Sequence, residues 1–168
     1  MPAGETYDGR VRIFWLDNDP ANPAEPTIAE IEAGKHLSGY GIPDGVAYNI
    51  GNERVSGRDL LSSFNAESPG RRAAAPVLTL RRKLRGSAPG QGELAWETLG
   101  ERNIQGCLVV FEAVDEGRDV AAGDACFVFL GAETGEPVPV NTAPNAETRF
   151  EAHIFCTDME LNAAVVGS

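Results

Sequence analysis

The chain has little with which to carry out the common kinds of chemistry. Only 2 histidines occur in 168 residues, His36 and His153, far apart in sequence, and no HExxH or CxxC spacing gathers metal ligands. His153 and Cys156 are three apart on a segment that reads as a strand, so they point to opposite faces and cannot share a metal as a local pair. No Gly-rich loop between a strand and a helix offers a phosphate cradle. The 3 cysteines are an odd number, widely separated, each inside an apolar strand-like run. That pattern predicts buried, reduced thiols and no disulfide framework, and it denies Cys107 and Cys126 the exposure and neighbouring base that a nucleophile needs. The reading is therefore no catalytic residues, no cofactor and no metal. Carboxylates are numerous, so a hydrolase acting through a carboxylate pair, or through a Cys near a His, stays open as a third reading.

Long apolar runs are missing as well. The longest, around Cys107 to Phe111 and Cys126 to Leu130, are far too short to span a bilayer. The opening MPAGETYDGR has no apolar h-region, which predicts no secretory signal and a protein made and folded in cytoplasm. Positive charge is scarce: 14 Lys and Arg against 25 Asp and Glu give a net charge of −11. A protein that grips nucleic acid needs a cationic face. From composition alone the acidity reads first as a device for solubility; alternatively, an acidic wall repels phosphates over about one Debye length, roughly 8 Å at physiological salt, and would let DNA pass without holding it.

What is present points to strands. Hydrophobic residues make up 42% of the chain, with 7 Phe, and the 19 Gly and 11 Pro fall between the apolar runs, as turns between strands do. We read one domain, 1–168, β-rich α+β: a β-sandwich or split barrel of about 7–9 strands. The opening run RIFWL is apolar on both alternating faces and predicts a strand covered on both sides. Asp17 to Pro26 is polar and proline-stiffened. Thr27 with Glu30 three residues on is a capping box, predicting a short helix over about 28–33 that Gly34 ends.

Further strands are expected over Lys35–Ile42, Val46–Ile50, Val77–Arg85, Cys107–Val114, Ala125–Leu130, Thr148–Cys156 and about Met159–Val166, with Pro43–Asp44–Gly45 as a turn and Gly131–Asn145 as extended loop. ELAWETLGER predicts the main helix, about 92–102, with Leu94, Ala95, Thr98 and Leu99 on its packed face. Residues 1–9 read as a flexible arm.

Between about 51 and 76 the patterning stops, predicting a long loop. It carries Leu60, Leu61 and Phe64 among Arg54, Arg58, Arg71 and Arg72. Apolar anchors interleaved with arginines are the chemistry of a subunit interface; the alternative is an ordinary hairpin folding over the chain's own core. In the following strand Arg81, Lys83 and Arg85 form a basic row, expected to bridge to acidic strands of the same or a neighbouring subunit.

The stretch PANPAEPTIAEIEAG after a strand ending in an aromatic, together with the closing RFEAHIFCTDMELNAAVV, resembles the major tail proteins (tail tube proteins) of long-tailed, siphovirus-type bacteriophages, especially those of actinobacteria. The resemblance implies a virion structural subunit and no enzyme. It implies homohexameric rings stacked into a tube, with the long loop interlocking neighbours and double-stranded DNA passing through without specific binding. Tape measure, tail-tip and tail terminator proteins are the implied partners. Glu112, Asp115 and Glu116, clustered beside a predicted strand, are candidates to face such a lumen. A second reading, from another class, is a monomeric β-sandwich binding module, for example for carbohydrate, which would need exposed aromatics where Trp15 and Trp96 are expected to pack.

Overall fold

The computed structural model describes residues 10–57, 66–82, 93–115, 117–140, 144 and 148–167. In order, the elements are β1 Arg12–Leu16, α1 Ile28–Glu32, β2 Lys35–His36, a 3₁₀ turn Ser38–Tyr40, β3 Gly41–Ala47, β4 Ile50–Gly57, β5 Ala66–Ala74, β6 Val77–Arg81, α2 Glu93–Leu99, β7 Gln105–Phe111, β8 Ala125–Thr134, β9 Val138–Val140, β10 Arg149–Phe155 and β11 Asp158–Ala164.

Among these residues nine strands pair into one sheet in the order β2-β1-β7-β8-β10-β6-β3, with β11 also on β8 and β9 also on β10. Every strand pair is antiparallel. The sheet curls because β8 changes neighbours along its length. Ala125 to Leu130 pair with β11, whereas Glu133 and Thr134 pair with the end of β10. Between them lies Gly131 at φ +55°, and a Cβ there would stand 2.1 Å from Thr157 Oγ1. Only glycine both adopts that backbone without strain and lets the β10–β11 corner come so close.

The two faces of β1 explain the packing. Ile13 and Trp15 point into the curl with Leu78, Leu80, Leu108, Val110, Phe129, Phe150, Ala152 and Ile154. Phe14 and Leu16 point outward with Cys107, Val109, Phe111, Cys126 and Val128, under the buried Ile31 of α1. The expected cover on both sides of this strand is thus supplied by the sheet's own curl and by α1. The capping box forms as read: Thr27 Oγ1 accepts from Glu30 N at 3.2 Å, and Glu30 Oε2 accepts from Thr27 N at 2.8 Å. The connector ahead of α1 is stitched to the end of the chain, Val166 N donating to Pro26 O at 3.0 Å and Ile28 N to Val166 O at 3.1 Å.

Several expectations are corrected. The loop over about 51–76 is in large part a hairpin, β4 paired with β5. Gly51, Asn52, Glu53 and Arg54 are all exposed, so neither face is apolar and the strand period never appears in the sequence. The strand expected over 35–42 divides into β2, the 3₁₀ turn and the start of β3, and Pro43–Asp44–Gly45 lies inside β3, where the register shifts between Gly41 and Val46. The strand expected over 46–50 ends at Ala47, because Asn49 takes φ 49° and turns the chain into β4. Of the loop expected over 131–145, the first part continues β8 and Val138–Val140 forms β9. Helix α2 is shorter than 92–102, and Leu94 is 37% exposed while Ala95, Thr98 and Leu99 are buried. The expected arm over 1–9 lies outside the described residues.

Candidate assembly surfaces

The β4–β5 hairpin stands apart from the curled sheet as an arm. Ile50 lies opposite Ala74, Asn52 opposite Arg72 and Gly57 opposite Ala66, with a shift between Asn52 and Arg54. Three of the arginines expected here are described, and all three, Arg54, Arg71 and Arg72, are exposed. Arg58, Leu60, Leu61 and Phe64 lie outside the described residues. Ile50, at the base, is 41% exposed. The base is tied down by polar groups. Asn49 Nδ2 donates to Ala75 O at 3.1 Å, joining the two junctions of the arm. Tyr48 stacks on Phe129 with centroids 5.9 Å apart, and its hydroxyl donates to the Glu112 carboxylate. Arg72 Nη2 meets Asp158 Oδ1 at 2.6 Å.

On the outer face of β6 the basic row begins with Arg81, and its register partner in β10 is Arg149. Lys83 and Arg85 lie outside the described residues. Arg149 also extends the row across strands, which sequence alternation marks as outward but cannot pair with Arg81. The next residue, Arg82, is not part of the row: its guanidinium carbon sits 4.0 Å from the Trp96 ring centroid. Further along β10, His153 Nε2 is 3.5 Å from Glu151 Oε2, on the same outer face.

The acids proposed to face a lumen stand at the end of β7 and just beyond. Glu112 is half-buried and holds the Tyr48 hydroxyl. Asp115 is exposed and pairs with Arg10, Nη2 to Oδ1 at 3.0 Å. Glu116 lies outside the described residues.

The groups considered for chemistry are dispersed. His36 stacks flat on Phe14 at 4.6 Å and meets Ser38 Oγ at 2.7 Å. Partial desolvation against Phe14, and then the charge of Arg12, hold its pKa below the usual imidazole value. Cys107, Cys126 and Cys156 are free thiols. Burial is the main cause raising all three, Cys126 to about 12 and Cys156 to about 11. Among the described residues, no group of three or more His, Cys, Asp or Glu could hold a metal ion, and no helix is long and apolar enough to cross a membrane. Trp15 is buried and Trp96 half-buried against Phe150, so neither tryptophan forms an open platform for a sugar ring.

A family model described as phage tail tube protein matches residues 1–168. Among solved structures, the fold is similar to the sheath/tube terminator of an extracellular contractile injection system (PVC) in its extended state. That match has 9% identity and a TM-score of 0.60 over 95% of this chain and 98% of the other. A chain of the anti-feeding prophage (AFP) baseplate matches at 11% identity and TM-score 0.58, covering 95% of each chain. A chain of the PVC sheath–tube complex in the extended state matches at 10% identity and TM-score 0.56, over 95% of this chain and 94% of the other. Likeness at such low identity is a likeness of fold. No curated protein matches the chain.

Proposed function

Because this chain belongs to the phage tail tube protein family, and is therefore a structural component of the virion tail, we propose that six copies close into a ring and that rings stack into the conduit for genome delivery. The observation that carries this reading is the β4–β5 arm. A two-stranded ribbon is marginal on its own in water, and here it pairs apart from the main sheet with Arg54, Arg71 and Arg72 exposed. Such a ribbon gains its order from a surface that receives it, and a neighbouring copy is the surface a tube supplies. The loop residues Arg58, Leu60, Leu61 and Phe64 would then be buried between subunits.

The net charge of −11 suits a wall that phosphates do not adhere to, with Glu112, Asp115 and Glu116 as proposed lumen acids and Arg81, Lys83 and Arg85 as proposed bridges to acidic neighbours. The role is geometric and asks for no catalytic group. Synthesis in the host bacterial cytoplasm, one domain over 1–168, and tape measure, tail-tip and terminator proteins as partners belong to the same proposal.

Negative-stain electron microscopy of the purified protein, over a range of protein and salt concentrations, tests it. Rings or tubes with an open axial channel are expected. Replacing Leu60, Leu61 and Phe64 with Ser should leave the subunit folded and abolish those particles. Subunits that stay monomeric at every concentration, even with tail-tip proteins supplied, would overturn the ring reading.

A further inference from the structure

The arm is rooted where its angle can be set. Asn49, in the left-handed region, hydrogen-bonds across to Ala75 O, so the two junctions of the hairpin are coupled. Two positions up from Ile50 and Ala74, Asn52 and Arg72 lie opposite each other. There the Arg72 guanidinium reaches back to Asp158 at 2.6 Å. Asp158 stands at the corner between β10 and β11, and the same Oδ1 accepts from Met159 N at 2.8 Å, which orients the carboxylate independently of Arg72. The corner itself is fixed: Thr157 N donates to Leu130 O at 3.0 Å, packed against Gly131. Ala73 and Ala74 of the arm share a small cleft with Cys156 and Met159 of this corner.

From this geometry we propose that Asp158 is a positioning residue for assembly: paired with Arg72, it sets the angle at which the arm reaches a neighbouring copy. The inference rests on the arm being an assembly element, as proposed above. Leverage makes a surface ion pair matter here. Seven steps of strand from Ile50 to Gly57, at about 3.3 Å each, span about 23 Å, so a rotation of about 20° at the root carries the far end about 8 Å. A displacement of that size is larger than the reach of a side-chain contact. An exposed pair adds little to folding, but it can decide which arm orientation is populated, since a small difference between orientations shifts their ratio severalfold.

Two measurements separate this proposal from its premise. Spin labels at Ser56→Cys on the arm and Glu101→Cys beyond α2, in a Cys156→Ser background, report the arm's orientation in the monomer by double electron–electron resonance. A single narrow distance is expected with Arg72 and Asp158 in place. Asp158→Ala and Arg72→Ala should each broaden it by several ångströms, and the swap Arg72→Asp with Asp158→Arg should narrow it again. In unlabelled protein the same single substitutions should slow ring assembly at least threefold with the melting temperature unchanged. A distance distribution unaltered by Asp158→Ala, or one that broadens while assembly proceeds at the native rate, overturns the proposal. If instead the Leu60, Leu61 and Phe64 substitutions leave assembly intact, the arm reading fails, and the positioning role in assembly fails with it. The distances would still say whether the pair holds the arm.

Discussion

Arg82 lies over the indole of Trp96 at 4.0 Å, and Trp96 in turn meets Phe150 edge-on, centroids 5.0 Å apart and planes at 89°. This stack joins three parts of the chain: the end of β6, helix α2 and the start of β10. Arg82 N also donates to Thr148 O at 2.8 Å, which continues the β6–β10 pairing one residue past the strand. A helix of two turns has no independent stability, so α2 is held by Ala95, Leu99 and this stack.

Trp96→Ala should therefore cost about 3 kcal/mol, the lower end for deleting a large aromatic from a packed site, because the ring is only half-buried. For a chain of this length the melting temperature should fall by about 9 °C. Arg82→Ala should cost about 0.5–1 kcal/mol. Thermal unfolding followed by circular dichroism measures both, and equal losses for the two would show that the stack is not the tie.

The capping box predicts an acid-sensitive helix start. Glu30 accepts backbone amides from Ala21 and Thr27, in that order of effect, and these hold its pKa below the ordinary carboxylate value. A depressed pKa means the contribution is complete above about pH 4.3, the unfolded value, and is lost as pH falls through the folded one. Thr27→Ala should cost about 1 kcal/mol near neutral pH. The advantage of wild type over Glu30→Gln should shrink between pH 6 and pH 3. Urea unfolding at several pH values checks this, and a pH-independent difference would assign the effect to something other than the carboxylate.

Arg149 and Arg81 face each other directly across β10 and β6, an unfavourable like-charge pairing, and among the described residues Arg149 Nε is buried without a hydrogen-bond partner. Arg149→Glu should make the pair attractive and stabilise the isolated subunit by about 0.2–1 kcal/mol, an effect that salt screens. If the row bridges to acidic neighbours, the same substitution should weaken tube assembly at low salt. A subunit that gains stability and assembles as before would separate the row from the interface.

The thiols should be inert in the folded protein. At pH 8 a thiol reagent should modify the half-buried Cys156 slowly and reach Cys107 and Cys126 only on unfolding. The folded state keeps protons that the unfolded chain releases, so stability should decline as pH rises above about 9. Rapid labelling of all 3 cysteines in the native protein would contradict the packing described for β7 and β8.

Legibility followed burial. The strands with the clearest apolar pattern, β1, β6, β7, β8 and β10, were readable because each places at least one whole face in the core. Alternation from Phe150 to Ile154 also marked Arg149, Glu151 and His153 as outward. The capping box was readable because it is a local hydrogen-bond exchange within four residues. The arm escaped because a ribbon wet on both sides has no period to see. Leu94 was misplaced because a helix of seven residues is too short for its apolar stripe to define a direction.

By itself the sequence determined the β-rich class, the strands that are buried, the start of α1 and the reduced state of the thiols, since these depend on side-chain chemistry and near neighbours along the chain. Tertiary structure alone decided that β8 bends at Gly131 to join two parts of one curled sheet, that Arg81 meets Arg149, and that Arg72 reaches Asp158. Those pairings join residues 68 and 86 positions apart. Register and curl fix them, and both arise from the packing of the whole chain, which no local pattern encodes.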